Sequence, residues 1–164
     1  MKVTFQGNPL TLVGTQVKVG DTLKDFAVSK NDLSPLTLKD TSGVRIFLAV
    51  PSLDTPVCDL EVITFNKRTA ELPGVSVYTM SMDLPFAQAR WCGAAGVETV
   101  VTASDYKDRQ FGAATGTLIE ELGLLTRAAF VVDANGVVTH VEYLNEITEQ
   151  PNFDAIIAAA KSLI

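Results

Sequence analysis

The sequence predicts an α/β domain with a central mixed β-sheet flanked by helices, preceded by an N-terminal β-hairpin. Three observations predict it. Two apolar runs of strand length, residues 44–50 (VRIFLAV) and 128–133 (AAFVVD), are nearly continuous, which is how strands covered on both faces read. Between and around them, stretches of helical spacing alternate with β-branched stretches. The chain then ends in a hairpin and an amphipathic helix, which adds antiparallel pairing to a parallel core. No repeat, linker or low-complexity stretch interrupts the 164 residues, so one domain over residues 1–164 is expected.

Each element has its own signal. Residues 1–14 (MKVTFQGNPLTLVG) alternate apolar and polar side chains and break at Gly7, Asn8 and Pro9, as a hairpin does. Short extended pieces at 26–29 and 36–39 flank the turn-forming segment 31–35 (NDLSP). The strand at 44–50 is bounded by Gly43 and Pro51. Over residues 60–72 apolar side chains recur at roughly helical spacing until Pro73 and Gly74 stop them. Residues 75–82 (VSVYTMSM) read as a strand. Residues 85–95 read as a helix with Pro85 in its first turn and Gly96 just after it. Residues 97–103 are β-branched, and the second buried strand follows at 128–133. The turn Asp133-Ala134-Asn135-Gly136 leads from it into a strand at 137–144. An alanine-rich helix is expected at 153–164.

Composition narrows the function classes. A chain 47% hydrophobic and 20% charged is compact rather than disordered. A net charge of -6, with no block of basic residues, argues against nucleic acid, whose backbone selects clustered Lys and Arg. The longest strongly apolar stretch, 46–50, is far short of the ~18 residues of a membrane span. The alternating N-terminus also lacks the apolar core of a signal peptide. A soluble cytoplasmic protein is therefore expected, with no membrane or nucleic-acid partner. The chain has two cysteines, Cys58 and Cys92, and a single distant His140. That is a poor zinc set, because structural zinc takes four ligands at short spacing, so neither metal nor cofactor is expected. In a reducing compartment such a thiol pair points to catalysis rather than to a structural staple.

The most informative stretch is residues 51–61, PSLDTPVCDLE, which leaves a buried strand and enters a helix. Asp54 or Thr55 caps that helix and Pro56 suits its first position, so Cys58 falls in the first turn. Unpaired backbone N–H groups and the positive end of the helix dipole there favour a thiolate. Asp59 and Glu61 share that turn and oppose the anion, so a separate cation is expected. Arg127, at the mouth of the apolar strand RAAFVVD, is the candidate.

The spacing Pro51-x-x-x-Thr55-x-x-Cys58 resembles the active-site signature of the peroxiredoxins. The fuller string PSLDTPVCDLE, the N-terminal hairpin, the second cysteine in ARWCGAAG and the segment RAAFVVD resemble the thiol peroxidase subfamily, an atypical two-cysteine group. The resemblance spans nearly the whole chain. It implies a thioredoxin-like fold and an enzyme that reduces hydrogen peroxide and organic hydroperoxides. It further implies Cys58 as peroxidatic nucleophile, Thr55 and Arg127 as its partners, and Pro51 as its shield from water. Cys92 is then the resolving cysteine, forming an intramolecular disulfide with Cys58 that thioredoxin or a similar dithiol reduces. A homodimer packed near the active site is implied too.

Ionisation alone does not account for such catalysis. For a cysteine in general, lowering the pKa from ~8.5 to about 6 raises the thiolate fraction at pH 7 about thirtyfold. Falling nucleophilicity returns about tenfold of that. The larger share must come from donors that stabilise the peroxide oxygens as the O–O bond breaks. Arg127, the Thr55 hydroxyl and the helix N–H groups are those on offer. The competing readings are plainer: Cys58 as a small buried hydrophobe, Cys92 as an ordinary helix residue, Thr55 as a cap only, Arg127 as a surface residue. His140, on an alternating strand with Glu142, reads as solvated, and Trp91 as packing. A non-enzymatic redox sensor switched by the Cys58–Cys92 disulfide is the second functional reading, and turnover with a thiol reductant separates the two. A thiol hydrolase would need a base beside Cys58, and thioredoxin-type chemistry would need Cys-x-x-Cys.

Overall fold

The computed structural model describes residues 1–164. The hairpin forms from β1 (Lys2–Phe5) and β2 (Asn8–Thr11), paired antiparallel. Its turn residues Gln6 and Gly7 both take positive φ, 50° and 81°, which gives a tight turn the twist of the strands it joins. The hairpin is a sheet of its own. Glu146 ties it to the body by accepting from Gly7 N (2.9 Å) and Thr4 Oγ1 (3.0 Å).

Seven strands make the central sheet: β3 (Ala27–Lys30), β4 (Pro35–Thr37), β5 (Val44–Ala49), β6 (Val75–Ser81), β7 (Val100–Ser104), β8 (Ala128–Val132) and β9 (Val138–Tyr143). Their order is β4-β3-β7-β6-β5-β8-β9. β5, β6 and β7 run parallel, and the remaining pairs are antiparallel, as the sequence leads one to expect of a mixed sheet. Four helices complete the fold: α1 (Pro56–Thr69), α2 (Pro85–Ala95), α3 (Gln110–Thr115) and α4 (Phe153–Lys161). None is long and apolar enough to cross a membrane.

The centre of the sheet explains its apolar runs. Ile46, Leu48 and Val50 pack on one face with Val62 and Phe65 of α1 and Ile156 of α4. Phe47 and Ala49 pack on the other with Phe26, Phe111 and Phe130. A strand with two buried faces has no polar side to alternate with, and each large side chain so enclosed contributes about 1.5–3 kcal/mol. The one charge in β5, Arg45, is buried and donates from Nη1 to Thr41 Oγ1 (2.9 Å) and from Nη2 to the Asp133 carbonyl (2.6 Å).

Some boundaries differ from the sequence reading. α1 starts at Pro56, as its cap and proline lead one to expect, but ends at Thr69 rather than 72. β7 starts at Val100 rather than 97 because Asn66 Oδ1 captures Thr99 N (3.0 Å), Thr99 Oγ1 (2.6 Å) and Val100 N (3.3 Å). Residues 38 and 39, expected to be extended, fall in a 3-10 turn over Leu38–Asp40. α3 is an addition. It follows Arg109 in the left-handed region (φ 54°), and the buried Asp105 carboxylate accepts Phe111 N (3.0 Å) and Gly112 N (2.8 Å).

Candidate active site

Where β5 ends, the chain passes through the buried Val50 and Pro51 into the loop before α1. Thr55 is the cap. Its Oγ1 accepts from Cys58 N (3.3 Å) and gives its own hydrogen to Ser52 O (3.1 Å). With Pro56 at the helix start, Cys58 stands in the first turn as expected. Its side chain is fully buried.

Arg127, just before β8, is also buried, so it is no surface residue. Its Nη2 donates to Cys58 Sγ at 3.0 Å, its Nη1 to Glu61 Oε2, and its Nε to the Ile147 carbonyl at 2.8 Å. The planar fork is held from three directions, a geometry a lysine could not reproduce.

Glu61 departs from the sequence reading. Its carboxylate does not face the sulfur as an opposing charge but turns inward, wholly buried, to hold the guanidinium. Burial pushes its carboxyl up to about 7, against the pull of Arg127. Such a pair fixes geometry more than it adds stability, because desolvating both charges offsets their attraction. Asp59 also has a partner, accepting from Trp91 Nε1 at 2.8 Å. Trp91 thus bonds as well as packs. A sequence signal for Glu61 existed: it lies three residues after Cys58, on the same helix face, and an inward acid needs a cation.

A recess of about 150 Å³ lies beside this group, lined by Pro51, Thr55, Arg127 and the apolar Phe5, Val57, Leu122, Leu124 and Ile147. Cys58 does not line the recess itself, but its Sγ bonds Arg127, which does. Pro51, Thr55, Cys58 and Arg127 are therefore brought together by the fold.

Cys92 stands apart from them, partly exposed in the last turn of α2. Its Sγ is 3.2 Å from Thr102 Oγ1 on β7, and both cysteines are free thiols. Gly96, in the left-handed region (φ 67°), ends the helix, and the N–H groups of Gly96 and Val97 close on Cys92 O. The start of α2 is firmly attached. Gln88 is buried and donates to Ser81 Oγ (3.0 Å) and Ala103 O (2.9 Å). The Asp83 carboxylate, just before the helix, accepts from Ser52 Oγ (2.7 Å), Leu53 N (2.8 Å) and Ser81 Oγ (2.8 Å). It links the Cys58 loop to the helix that bears Cys92. Neither Asp83 nor Thr102 carries a sequence signal, since each acts on a different element of the fold. His140, part-buried rather than solvated, bonds Glu142 (2.8 Å) and neither cysteine.

Comparison with known proteins agrees with this arrangement. The Redoxin family model matches residues 18–157. The thiol peroxidase of Clostridium acetobutylicum is 59% identical over 162 residues, covering 99% of both chains. That of Halalkalibacterium halodurans is 53% identical over 163 residues, covering 99% of this chain and 98% of its own. A solved structure of a peroxiredoxin-like protein from Aquifex aeolicus superposes with a TM-score of 0.94 at 41% identity, over 99% of this chain and 97% of the other. The sheet and its helices are thus the thioredoxin-like fold in its peroxiredoxin form. With such identity maintained from end to end, the chain belongs to the redoxin family and, within it, to the thiol peroxidases of the peroxiredoxins.

Proposed function

We propose that Cys58 is the nucleophile of this thiol-dependent peroxidase and that Cys92 resolves the product. The observation that carries the reading is the fully buried Cys58 sulfur at a helix N-terminus, 3.0 Å from an Arg127 nitrogen whose direction Glu61 and Ile147 fix. The thiolate attacks the terminal peroxide oxygen, the O–O bond breaks, and the other oxygen leaves with a proton as water or alcohol. Arg127 and the N–H groups of the first turn stabilise the charge that develops on the oxygens. Thr55 lines the recess while its hydrogen is held by Ser52 O, and Pro51 keeps water from the sulfur. The apolar walls of the recess support organic hydroperoxides as substrates alongside hydrogen peroxide.

The Cys58 sulfenic acid then meets Cys92. A disulfide needs Cα atoms roughly 4.4–6.8 Å apart, whereas the two sulfurs now face different partners, so the end of α2 unwinds to let them meet. Gly93 and Gly96 ease that change. A thioredoxin-type dithiol reduces the disulfide, in the cytoplasm. A homodimer fits the exposed apolar Leu60 on α1 and Leu84 and Phe86 at the start of α2. The test is thiol counting with a defined hydroperoxide. Two thiols disappear per peroxide with no link between chains, and Cys58→Ser abolishes consumption. A Cys58→Ser protein that still turned over would overturn the assignment.

A further inference from the structure

We propose that Thr102 is a positioning residue for the resolving step, clasping Cys92 against β7 until Cys58 is oxidised. The inference rests on Cys92 being the resolving thiol. Thr102 Oγ1 lies 3.2 Å from Cys92 Sγ and gives its own hydrogen to Asn31 Oδ1 at 3.1 Å. A hydroxyl has one hydrogen, so it meets Cys92 with a lone pair, and the Cys92 S–H is the donor. Thr102 cannot follow a moving sulfur. It is buried within β7, in register with Thr79 of β6. The clasp is therefore broken whenever Cys92 leaves.

A second bond works beside it. Trp91 Nε1 donates to Asp59 Oδ1 at 2.8 Å, so neighbouring residues of α2 are fastened to two different elements, β7 and α1. The residues that follow, Gly93, Ala94, Ala95 and Gly96, have no polar side chain with which to hold the helix end. Asp59 is adjacent to Cys58. Oxidation that loosens the first turn of α1 displaces Asp59 and opens the Trp91 bond, leaving Thr102 as the last side-chain hold. The resolving step itself needs no further oxidant. The Cys92 sulfur attacks the Cys58 sulfenic sulfur, the S–S bond forms, the S–O bond breaks, and the hydroxide departs with the Cys92 proton as water. What Thr102 sets is how readily Cys92 becomes available for it.

The test compares wild type, Thr102→Val, Thr102→Ser, Trp91→Phe and Cys92→Ser, all reduced, after a single equivalent of peroxide. Disulfide formation is followed by rapid alkylation and mass measurement. Valine keeps the β-branched shape that suits a strand and removes only the hydroxyl. Loss of one hydrogen bond should speed resolution roughly three- to tenfold and raise the peroxide needed to over-oxidise Cys58 by a similar factor. Thr102→Ser should return both toward wild type. Trp91→Phe, at a part-exposed position, should also resolve faster. Amide exchange across residues 92–97 of the reduced protein should rise in Thr102→Val. Resolution at the wild-type rate or slower in both Thr102→Val and Trp91→Phe, with Cys92→Ser still halting after one turnover, would overturn the clasp while leaving Cys92 as the resolver. Wild-type sustained turnover by Cys92→Ser would instead overturn the reading on which it rests.

Discussion

Arg127 holds a buried carboxylate and touches the reactive sulfur, and one pair of variants separates the two roles. In Arg127→Gln the Glu61 side chain, fully enclosed, loses its counter-charge. Removing one partner of a buried pair costs about 3–5 kcal/mol. Protonation of Glu61 limits that cost at low pH. Its folded-state carboxyl lies at about 7, against an ordinary 4.5, so between those values the folded protein holds a proton that the unfolded chain has lost. Stability is therefore full below the unfolded value and falls as pH rises through that window, by about 3 kcal/mol in wild type. Without the Arg127 charge, which pulls the carboxyl down, the window extends above pH 7. Arg127→Gln should thus lose little stability at pH 5 and most at pH 8. Glu61→Gln combined with Arg127→Gln should recover much of the loss at pH 8, because no buried charge is left. The chemistry should not recover. A hydrogen bond to a charged group is worth about 1.5–3 kcal/mol, so both variants should slow peroxide attack by about ten- to a hundredfold. Urea midpoints at the two pH values and single-turnover peroxide consumption measure the two effects. A double variant that regained the attack rate together with its stability would refute the argument, leaving Arg127 as no more than the partner of Glu61.

Three further outcomes follow from the same geometry. Trp91, the single Trp and adjacent to Cys92, should change fluorescence after peroxide in wild type and much less in Cys92→Ser; identical traces would show that α2 does not rearrange. Thr55→Val removes the hydroxyl that caps α1 and should cost about 1 kcal/mol in urea unfolding, whereas Thr55→Ser keeps most of it. Leu122→Asp puts a charge on the apolar rim of the recess and should slow a bulky organic hydroperoxide by about fivefold more than hydrogen peroxide, read as the ratio of the two attack rates.

The parts of the fold legible in the sequence are those whose cause is local. β5 and β8 show as apolar runs because both their faces are covered, and α2 carries Pro85 and Gly96 at its ends. Thr55, Pro56 and Cys58 are legible for the same reason, since a cap, a first-turn proline and a first-turn thiol lie within four residues of chain. The start of β7 was not, because Asn66 reaches it from α1. Nor was α3, whose first N–H groups are held by Asp105 from outside the helix. Glu61 is legible as a charge beside Cys58, but its direction is not. Read as sharing the first turn with Asp59, it opposes the thiolate; in the helix that starts at Pro56 it falls beyond that turn, on the Cys58 face. Arg127 was found as a cation, but its three-point attachment depends on Glu61 and Ile147, which only the folded chain brings to it.

The anchors on either side of Cys92 act as a tether of fixed length. Gln88 is pinned beneath β7 and Thr99 is pinned to Asn66, so only the chain between them is free to pay out. The Gln88 side is the shorter. Four residues of extended chain reach at most about 14 Å, which confines the sulfur to a small sphere and an effective concentration on the order of 0.1 M. Small thiols in solution would need to approach that concentration to intercept the sulfenic acid first. Lengthening the tether by four flexible residues after Gln88 would dilute Cys92 severalfold without altering either cysteine or its partners. The same site would then pass more of its oxidised sulfur to external thiols, and the choice between an internal and a mixed disulfide would be set by the length of chain between two hydrogen-bonded anchors.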